Sequence, residues 1–126
     1  MTEKKSYLIE LFLKLSRQKE ILEEVYKVSI DLFTNTYKNI PKDEIKKLKE
    51  KYNYNYYLSL ITEIIDNNFS EEELEEINNF YSSTVGKKLT NDNYIKKIRT
   101  ISDNLFIEFQ SKLAILYTKN SKKTEK

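Results

Sequence analysis

Residues 82–88 hold the side chains best placed to do chemistry, because hydroxyl groups, the glycine and two lysines stand close together there. Gly86-Lys87 matches the end of a phosphate-binding loop, whose backbone cradles phosphate groups. That loop also requires glycine at the position of Tyr81 and Ser or Thr at the position of Lys88. The pattern fails at both positions, so it does not predict a nucleotide site.

Thr84 and Lys87 have the spacing of a Ser-x-x-Lys nucleophile pair, with Thr in place of Ser. No second motif of such an enzyme accompanies them. The same residue types are expected where two helices meet, since Ser83 can cap the second helix and Gly86 lets two helices approach closely. We favour this structural interpretation over a reaction site.

Five glutamates crowd residues 71–76. A di-iron bundle site needs Glu-x-x-His pairs, and the chain has no histidine. A calcium-binding loop that begins at Asp66 fails at its glycine position, Glu71, and at its bidentate glutamate position, Ile77. Acidic side chains stabilise helix N-termini through the helix dipole. We therefore interpret the cluster as a solvated helix start and expect no metal site.

Composition excludes several classes of enzyme. The 126 residues include no Cys, no His and one Gly. Disulfide scaffolds, Cys/His zinc sites and catalysis by Ser-His or Cys-His pairs are therefore excluded. Because no complete catalytic constellation is left, we expect no enzymatic activity, no catalytic residue and no cofactor.

The segment from Lys42 to Tyr57 mixes lysines with tyrosines, as single-strand nucleic-acid binders do when aromatic rings stack on bases. Asp43, Glu44 and Glu50 interrupt its basic face, and the net charge of the chain is only +2. Tyrosines at helical spacing are more often half-buried core residues. We expect no strong nucleic-acid binding, only weak and salt-sensitive contacts.

Helical periodicity of apolar residues runs through nearly the whole chain and predicts an all-α fold. We expect a single compact bundle of five or six helices over residues 5–118, followed by a frayed or disordered basic tail over residues 119–126. No run of about 18 apolar residues occurs, so we expect no membrane span. The longest helix is the last, capped by Asn91 or Asp92, and its apolar stripe consists of Tyr94, Ile98, Ile101, Leu105, Phe109, Leu113 and Leu116.

Shorter apolar stripes predict the inner faces of the other helices. The first stripe consists of Leu8, Leu11, Phe12 and Leu15. The second helix, capped by Ser16, carries Ile21, Val25, Val28 and Leu32. Pro41 suits the first turn of a third helix, whose inner residues are Ile45 and Leu48. The next two helices have as inward residues Tyr57, Leu60, Ile61, Ile64 and Ile65, then Leu74, Ile77 and Tyr81. Ser70 and Glu73 have the spacing of a capping box.

The stretch from Phe80 to Leu89 reads Phe-Tyr-Ser-Ser-Thr-Val-Gly-Lys-Lys-Leu. It resembles the motif Phe-Tyr-Ser-Ser-Pro-x-Gly-Lys-Lys-Leu of the bacterial family known as domain of unknown function 2059, and departs from it at Thr84. The resemblance implies a helical bacterial protein of a family whose members often carry an export signal to the periplasm. The residues before Leu15 do not form a secretory signal as they stand. Because the family has no established activity, the resemblance supplies no catalytic residue.

The leading functional hypothesis is a non-catalytic interaction module, placed in the bacterial envelope by the resemblance alone. Its partner is an unidentified protein or a second copy of the chain. The motif supplies the candidate binding residues Tyr81, Ser82, Ser83, Gly86, Lys87 and Lys88. The alternative is a carrier of a small apolar or amphipathic ligand in a pocket between helices. A large exposed apolar patch favours the first hypothesis, and an enclosed apolar pocket favours the second.

Overall fold

The computed structural model describes residues 1–124, and its contacts divide the chain into two units, Met1–Lys87 and the chain from Lys88 onward. Over the described residues the structure has helices and no strand, which confirms the all-α fold class with a long C-terminal helix. The helices are α1 (Glu3–Leu15), α2 (Gln18–Thr36), α3 (Lys42–Lys51), α4 (Tyr54–Asn68), α5 (Glu71–Ser82), α6 (Thr84–Leu89) and α7 (Asp92–Thr124). The single domain over residues 5–118 stays a prediction.

Polar side chains and turn residues set the helix ends. The hydroxyl of Ser70 accepts a hydrogen bond from the backbone N–H of Glu73, whose carboxylate accepts one from the N–H of Ser70, so the predicted capping box is confirmed. Asn53 caps α4 by accepting from the N–H of Tyr56. The predicted cap of the second helix is displaced by one residue. Arg17, in a left-handed conformation (φ 65°), precedes α2 in place of Ser16.

The core of the first unit lies around α1. Its buried residues are Leu8, Ile9, Phe12 and Leu13, with Ile65 from α4 and Leu74 from α5. Because α1 contacts α5, α2 and α4, it buries a face wider than one narrow stripe. Ile9 and Leu13 are therefore buried, whereas the expected core residues Leu11 and Leu15 are only half-buried.

Several other apolar residues lie outside this core. On α2 the half-buried face runs through Leu22, Tyr26 and Ile30. The predicted stripe of that helix (Ile21, Val25, Val28 and Leu32) is exposed, each side chain between 49% and 60%. On α4 the buried residue is Ile65, while Leu60 and Ile64 are exposed despite their predicted inward position.

The second unit contains α7, a helix of 33 residues. Asn91 precedes it and accepts a hydrogen bond from the backbone N–H of Asn93 at 2.8 Å, as one of the two predicted caps. The helix continues through residues 119–124, where the sequence predicts a frayed tail; residues 125 and 126 lie outside the described part of the chain. None of the helices within residues 1–124 is long and apolar enough to cross a membrane.

Candidate functional site: the α5–α6 joint and its surroundings

Ser83 forms the joint between α5 and α6 and serves both helices. Its hydroxyl accepts a hydrogen bond from the N–H of Gly86 at 3.1 Å, and its carbonyl accepts one from the N–H of Lys87 at 2.9 Å. The same hydroxyl donates to the carbonyl of Phe80 at the end of α5. Helix termini leave such backbone groups without intrahelical partners. One serine therefore satisfies groups of both helices, and the predicted cap is confirmed.

Gly86 is buried against the end of α5. A Cβ atom at this position would lie 2.6 Å from the Cα of Tyr81 and 2.8 Å from the carbonyl carbon of Phe80. These are backbone atoms, so no side-chain rotation can make room. The sequence predicts a close approach to a neighbouring helix, and the structure identifies the neighbour as the last turn of α5.

Tyr81 points toward the core, as its register with Leu74 and Ile77 predicts. Its ring lies 6.3 Å from the ring of Phe12 on α1 and 5.3 Å from the ring of Phe80, measured between centroids. Aromatic pairs at these separations stabilise a fold beyond the area that they bury. Tyr81 thus joins the packed cluster around Leu74.

The candidate binding residues therefore separate into two groups. Tyr81, Ser83 and Gly86 hold the joint together, while Ser82, Lys87 and Lys88 are exposed. The structure shows what each residue contacts but no bound molecule. A binding role for the exposed group stays a prediction.

The glutamates of α5 contact the start of α1. Glu75 pairs with Lys4 at 2.8 Å, and Glu71 accepts a hydrogen bond from the hydroxyl of Thr2. The hydrogen bond from Lys4 to Glu75 raises the pKa of the Lys4 ammonium. Within residues 1–124 no group of three or more acidic, His or Cys side chains could hold a metal ion. The acidic cluster does more than face solvent, because it pairs with the first turn of α1.

Lys5 ties α1 to the C-terminal part of α4. Its ammonium lies 2.8 Å from the Asp66 carboxylate and also donates to the Asp66 carbonyl at 2.8 Å. Both side chains are mostly buried, with 18% and 26% of their surface exposed. The hydrogen bond from Lys5 lowers the pKa of the Asp66 carboxyl.

Two tyrosines of the segment from Lys42 to Tyr57 pack with a tyrosine of α2. They are Tyr54 and Tyr57 on α4, and the third is Tyr26. The ring of Tyr26 lies 5.8 Å from that of Tyr54 and 5.9 Å from that of Tyr57. The hydroxyl of Tyr26 donates to the carbonyl of Tyr52, whereas the Tyr54 hydroxyl is buried without a partner in the described structure. Burial raises the pKa of Tyr54, and the nearby Glu23 adds to the shift. Packing against Tyr26 therefore occupies the rings of Tyr54 and Tyr57, whereas Tyr52 and Tyr56 are exposed.

An apolar groove lies between α2 and α3 and was not anticipated from the sequence. Its volume is about 330 Å³, and it is lined by Ile30, Phe33, Thr34, Tyr37, Ile40, Ile45, Leu48, Lys49 and Tyr52. The groove combines residues from the end of one helix, a loop and the next helix. The sequence signal that could have indicated the groove is the apolar pair Ile45 and Leu48, which follows Ile40-Pro41.

Residues 59–95 match the model of the bacterial family DUF2059, described as "Uncharacterized protein conserved in bacteria". The resemblance seen in the sequence is thereby confirmed. No curated protein and no solved structure matches this chain.

The DUF2059 segment takes in the second part of α4, all of α5 and α6, and the start of α7. It contributes Ile65 and Leu74 to the core and contains the capping box at Ser70 and the joint at Ser83. The groove between α2 and α3 lies outside it.

Proposed function

We propose that the protein is a non-catalytic interaction module and that the apolar stripe of α7 is its contact surface. The observation that carries the proposal is the exposure of this stripe. Its seven side chains, from Tyr94 to Leu116, are each between 47% and 69% exposed. Along the helix they extend over about 33 Å, at a rise of about 1.5 Å per residue.

An exposed stripe of this length favours association. Removing apolar surface from water stabilises a complex by about 25 cal/mol per Å². Contiguous exposed apolar patches larger than a few hundred Å² are typical of protein interaction sites. Regular recurrence of apolar residues at three- and four-residue spacing is also the pattern by which one helix packs against another.

A second exposed stripe supports the same interpretation. Ile21, Val25, Val28 and Leu32 follow one face of α2, within the first unit. The groove between α2 and α3, to which the carrier alternative points, is partly open to solvent and shares no residue with either stripe. The partner in this proposal is another protein or a second copy of the chain. The envelope location rests on the family resemblance alone.

The test compares two glutamate substitutions one residue apart on α7. Ile101→Glu places a charge within the stripe, and Thr100→Glu places the same charge about 100° round the helix from Ile101, outside the stripe. Sedimentation velocity measures self-association of the purified protein, and affinity purification from the native host measures association with other proteins. We expect Ile101→Glu to weaken the complex about thirtyfold, as loss of a central apolar contact does.

We expect Thr100→Glu to retain the complex and both variants to retain the helical content of the wild type. A monomer that captures no partner through α7 would contradict the proposal. Equal weakening by the two substitutions would also contradict it, because the effect would then come from charge and not from the stripe.

A further inference from the structure

We propose that the groove between α2 and α3 binds the free anion of a fatty acid, with the alkyl chain along the apolar floor and the carboxylate beside Lys49. This inference goes beyond the interaction module, since it concerns a different surface and a small molecule. The inference is based on three properties of the groove: the chemistry of its lining, the charge of the lysines beside it and its volume.

The lining is almost wholly apolar. Seven of the nine residues that line the groove are aliphatic or aromatic, and the other two are Thr34 and Lys49. The Thr34 hydroxyl already donates to the carbonyl of Ile30 at 2.6 Å. Lys49 makes no ion pair with another described residue, so its ammonium is the charged group available to orient a ligand. Pockets for small molecules typically combine an apolar lining with a few such polar groups.

The edge of the groove is positively charged. Lys42, Lys46 and Lys49 follow one another at spacings of four and three residues, which places them on one face of α3. They line a second recess, together with Ile45, Asn53 and the single acid Glu50, and this recess shares Ile45 and Lys49 with the groove. Three ammonium groups against one carboxylate favour an anionic head group over a neutral or cationic one.

The size of the groove favours a single flexible chain. Its volume of about 330 Å³ lies at the low end of the range for small-molecule sites. From Ile45 to Tyr52 the floor along α3 is about 10 Å long, at a rise of about 1.5 Å per residue. A partner helix is about 10–12 Å wide with its side chains and needs a broader surface. The ligand is therefore an extended chain with one anionic end.

The connection between α2 and α3 has a defined shape. Asn39 adopts a left-handed conformation with φ 73°, which asparagine tolerates better than most residues. Pro41, whose own φ is −55°, precedes α3 directly. These residues position Ile40, which is part of the groove lining.

The experiment is a calorimetric titration of the full chain with octanoate, decanoate and dodecanoate below their micelle concentrations. Each pair of added methylenes should tighten binding roughly tenfold while the chain still fits the floor. Decanol has an alkyl chain of the same length but no carboxylate. We expect it to bind at least about fivefold more weakly than decanoate. Equal affinity for decanol and decanoate would overturn the proposal.

Variants locate the site. Lys49→Glu should weaken decanoate binding at least about fivefold. Lys47→Glu makes the same charge change about 200° round the helix, away from the groove, and should leave the affinity unchanged. Leu48→Asp should abolish binding; Leu48 is 57% exposed, so the substitution leaves the core intact. Ile101→Glu on α7 should leave decanoate binding as it is, so failure here and failure of the interaction module are distinguishable.

Other outcomes would overturn the inference. The absence of saturable decanoate binding would do so. So would an equal loss of affinity in Lys47→Glu and Lys49→Glu, because it would indicate unspecific attraction. A dimer that Leu48→Asp dissociates would show that a second copy fills the groove. Binding to anionic lipid vesicles without binding of monomeric decanoate would show a membrane surface as the occupant.

Discussion

At the joint between α5 and α6, a hydrogen atom of Gly86 occupies the place where any other residue would carry its Cβ. The backbone of Phe80 and Tyr81 fills the space beyond. Sequence reasoning predicted a glycine-dependent approach here, because Ser83 and Gly86 are typical of a helix junction. It could not identify which backbone is approached, since that depends on the angle at which the chain leaves Ser83.

Gly86→Ala should destabilise the protein by about 1–3 kcal/mol, because the added methyl group overpacks against backbone that cannot rotate away. Thermal or urea unfolding measures the change. Val85→Ala is the matched control: Val85 is 60% exposed in the neighbouring position, so its substitution should change stability by less than about 0.5 kcal/mol. If the two variants unfold alike, α6 is not packed on the end of α5 through Gly86.

The half-buried tyrosines of α2 and α4 allow a second comparison. Tyr26→Phe removes the hydroxyl that donates to the carbonyl of Tyr52 and should cost about 1 kcal/mol. Tyr54→Phe removes a buried hydroxyl that has no described partner, so it should leave stability unchanged or raise it. Unfolding of both variants by urea tests this order. A larger loss for Tyr54→Phe would mean that its hydroxyl has a partner, such as a bound water.

At the scale of the elements, α1 is the helix around which the first unit is built. It buries four apolar residues and carries polar links to α4 and α5 through Lys5 and Lys4. It also accepts a buried hydrogen bond at the carbonyl of Leu8 from the side-chain amide of Asn78, at 3.1 Å. Periodicity predicted that α1 is amphipathic, but the width of its buried face depends on how many helices surround it.

The link between α1 and α4 should make stability depend on pH. Lys5 holds the pKa of Asp66 below its ordinary value of 3.8 in the folded protein. The carboxylate therefore contributes stability above that value, and the contribution is lost as the pH falls through the lowered pKa. Urea unfolding of wild type and Asp66→Asn at several pH values should show a difference at neutral pH that disappears in acid.

Asp31→Asn is the control for this measurement, because Asp31 is an exposed aspartate of α2 that forms no ion pair with another described residue. Its substitution should give no such acid-dependent difference. A constant difference between wild type and Asp66→Asn down to low pH would show that the ion pair with Lys5 does not form in solution.

At the scale of the whole molecule, the first unit has a small core and an exposed apolar face on α2, and the second unit has an exposed apolar face on α7. Because so much apolar surface is in contact with water, the free energy falls when a partner covers it. This balance is the physical basis for the proposed interaction module. The groove at α3 is proposed as a separate site, since its lining and its lysines suit a small anion with an alkyl chain.

Removal of metal ions should not change the stability of the molecule. The sequence has no His and no Cys, and the acidic side chains of α5 engage Thr2, Lys4 and their own helix terminus. Thermal melts with and without a chelator should therefore coincide. A marked drop in melting temperature with chelator would reveal a bound ion that stabilises the folded state.

The sequence by itself determined the fold class, most helix ends and the local geometry of the joint at Ser83. These features depend on residues within one or two turns of each other, through periodicity, capping and the conformational limits of proline and glycine. Tertiary structure decided which apolar stripes are covered. The stripes of α1 and α2 look alike in the sequence, yet only that of α1 is substantially buried, because burial depends on distant helices that supply the opposite surface. The groove between α2 and α3 arose in the same way, from residues that the loop at Asn39 brings together.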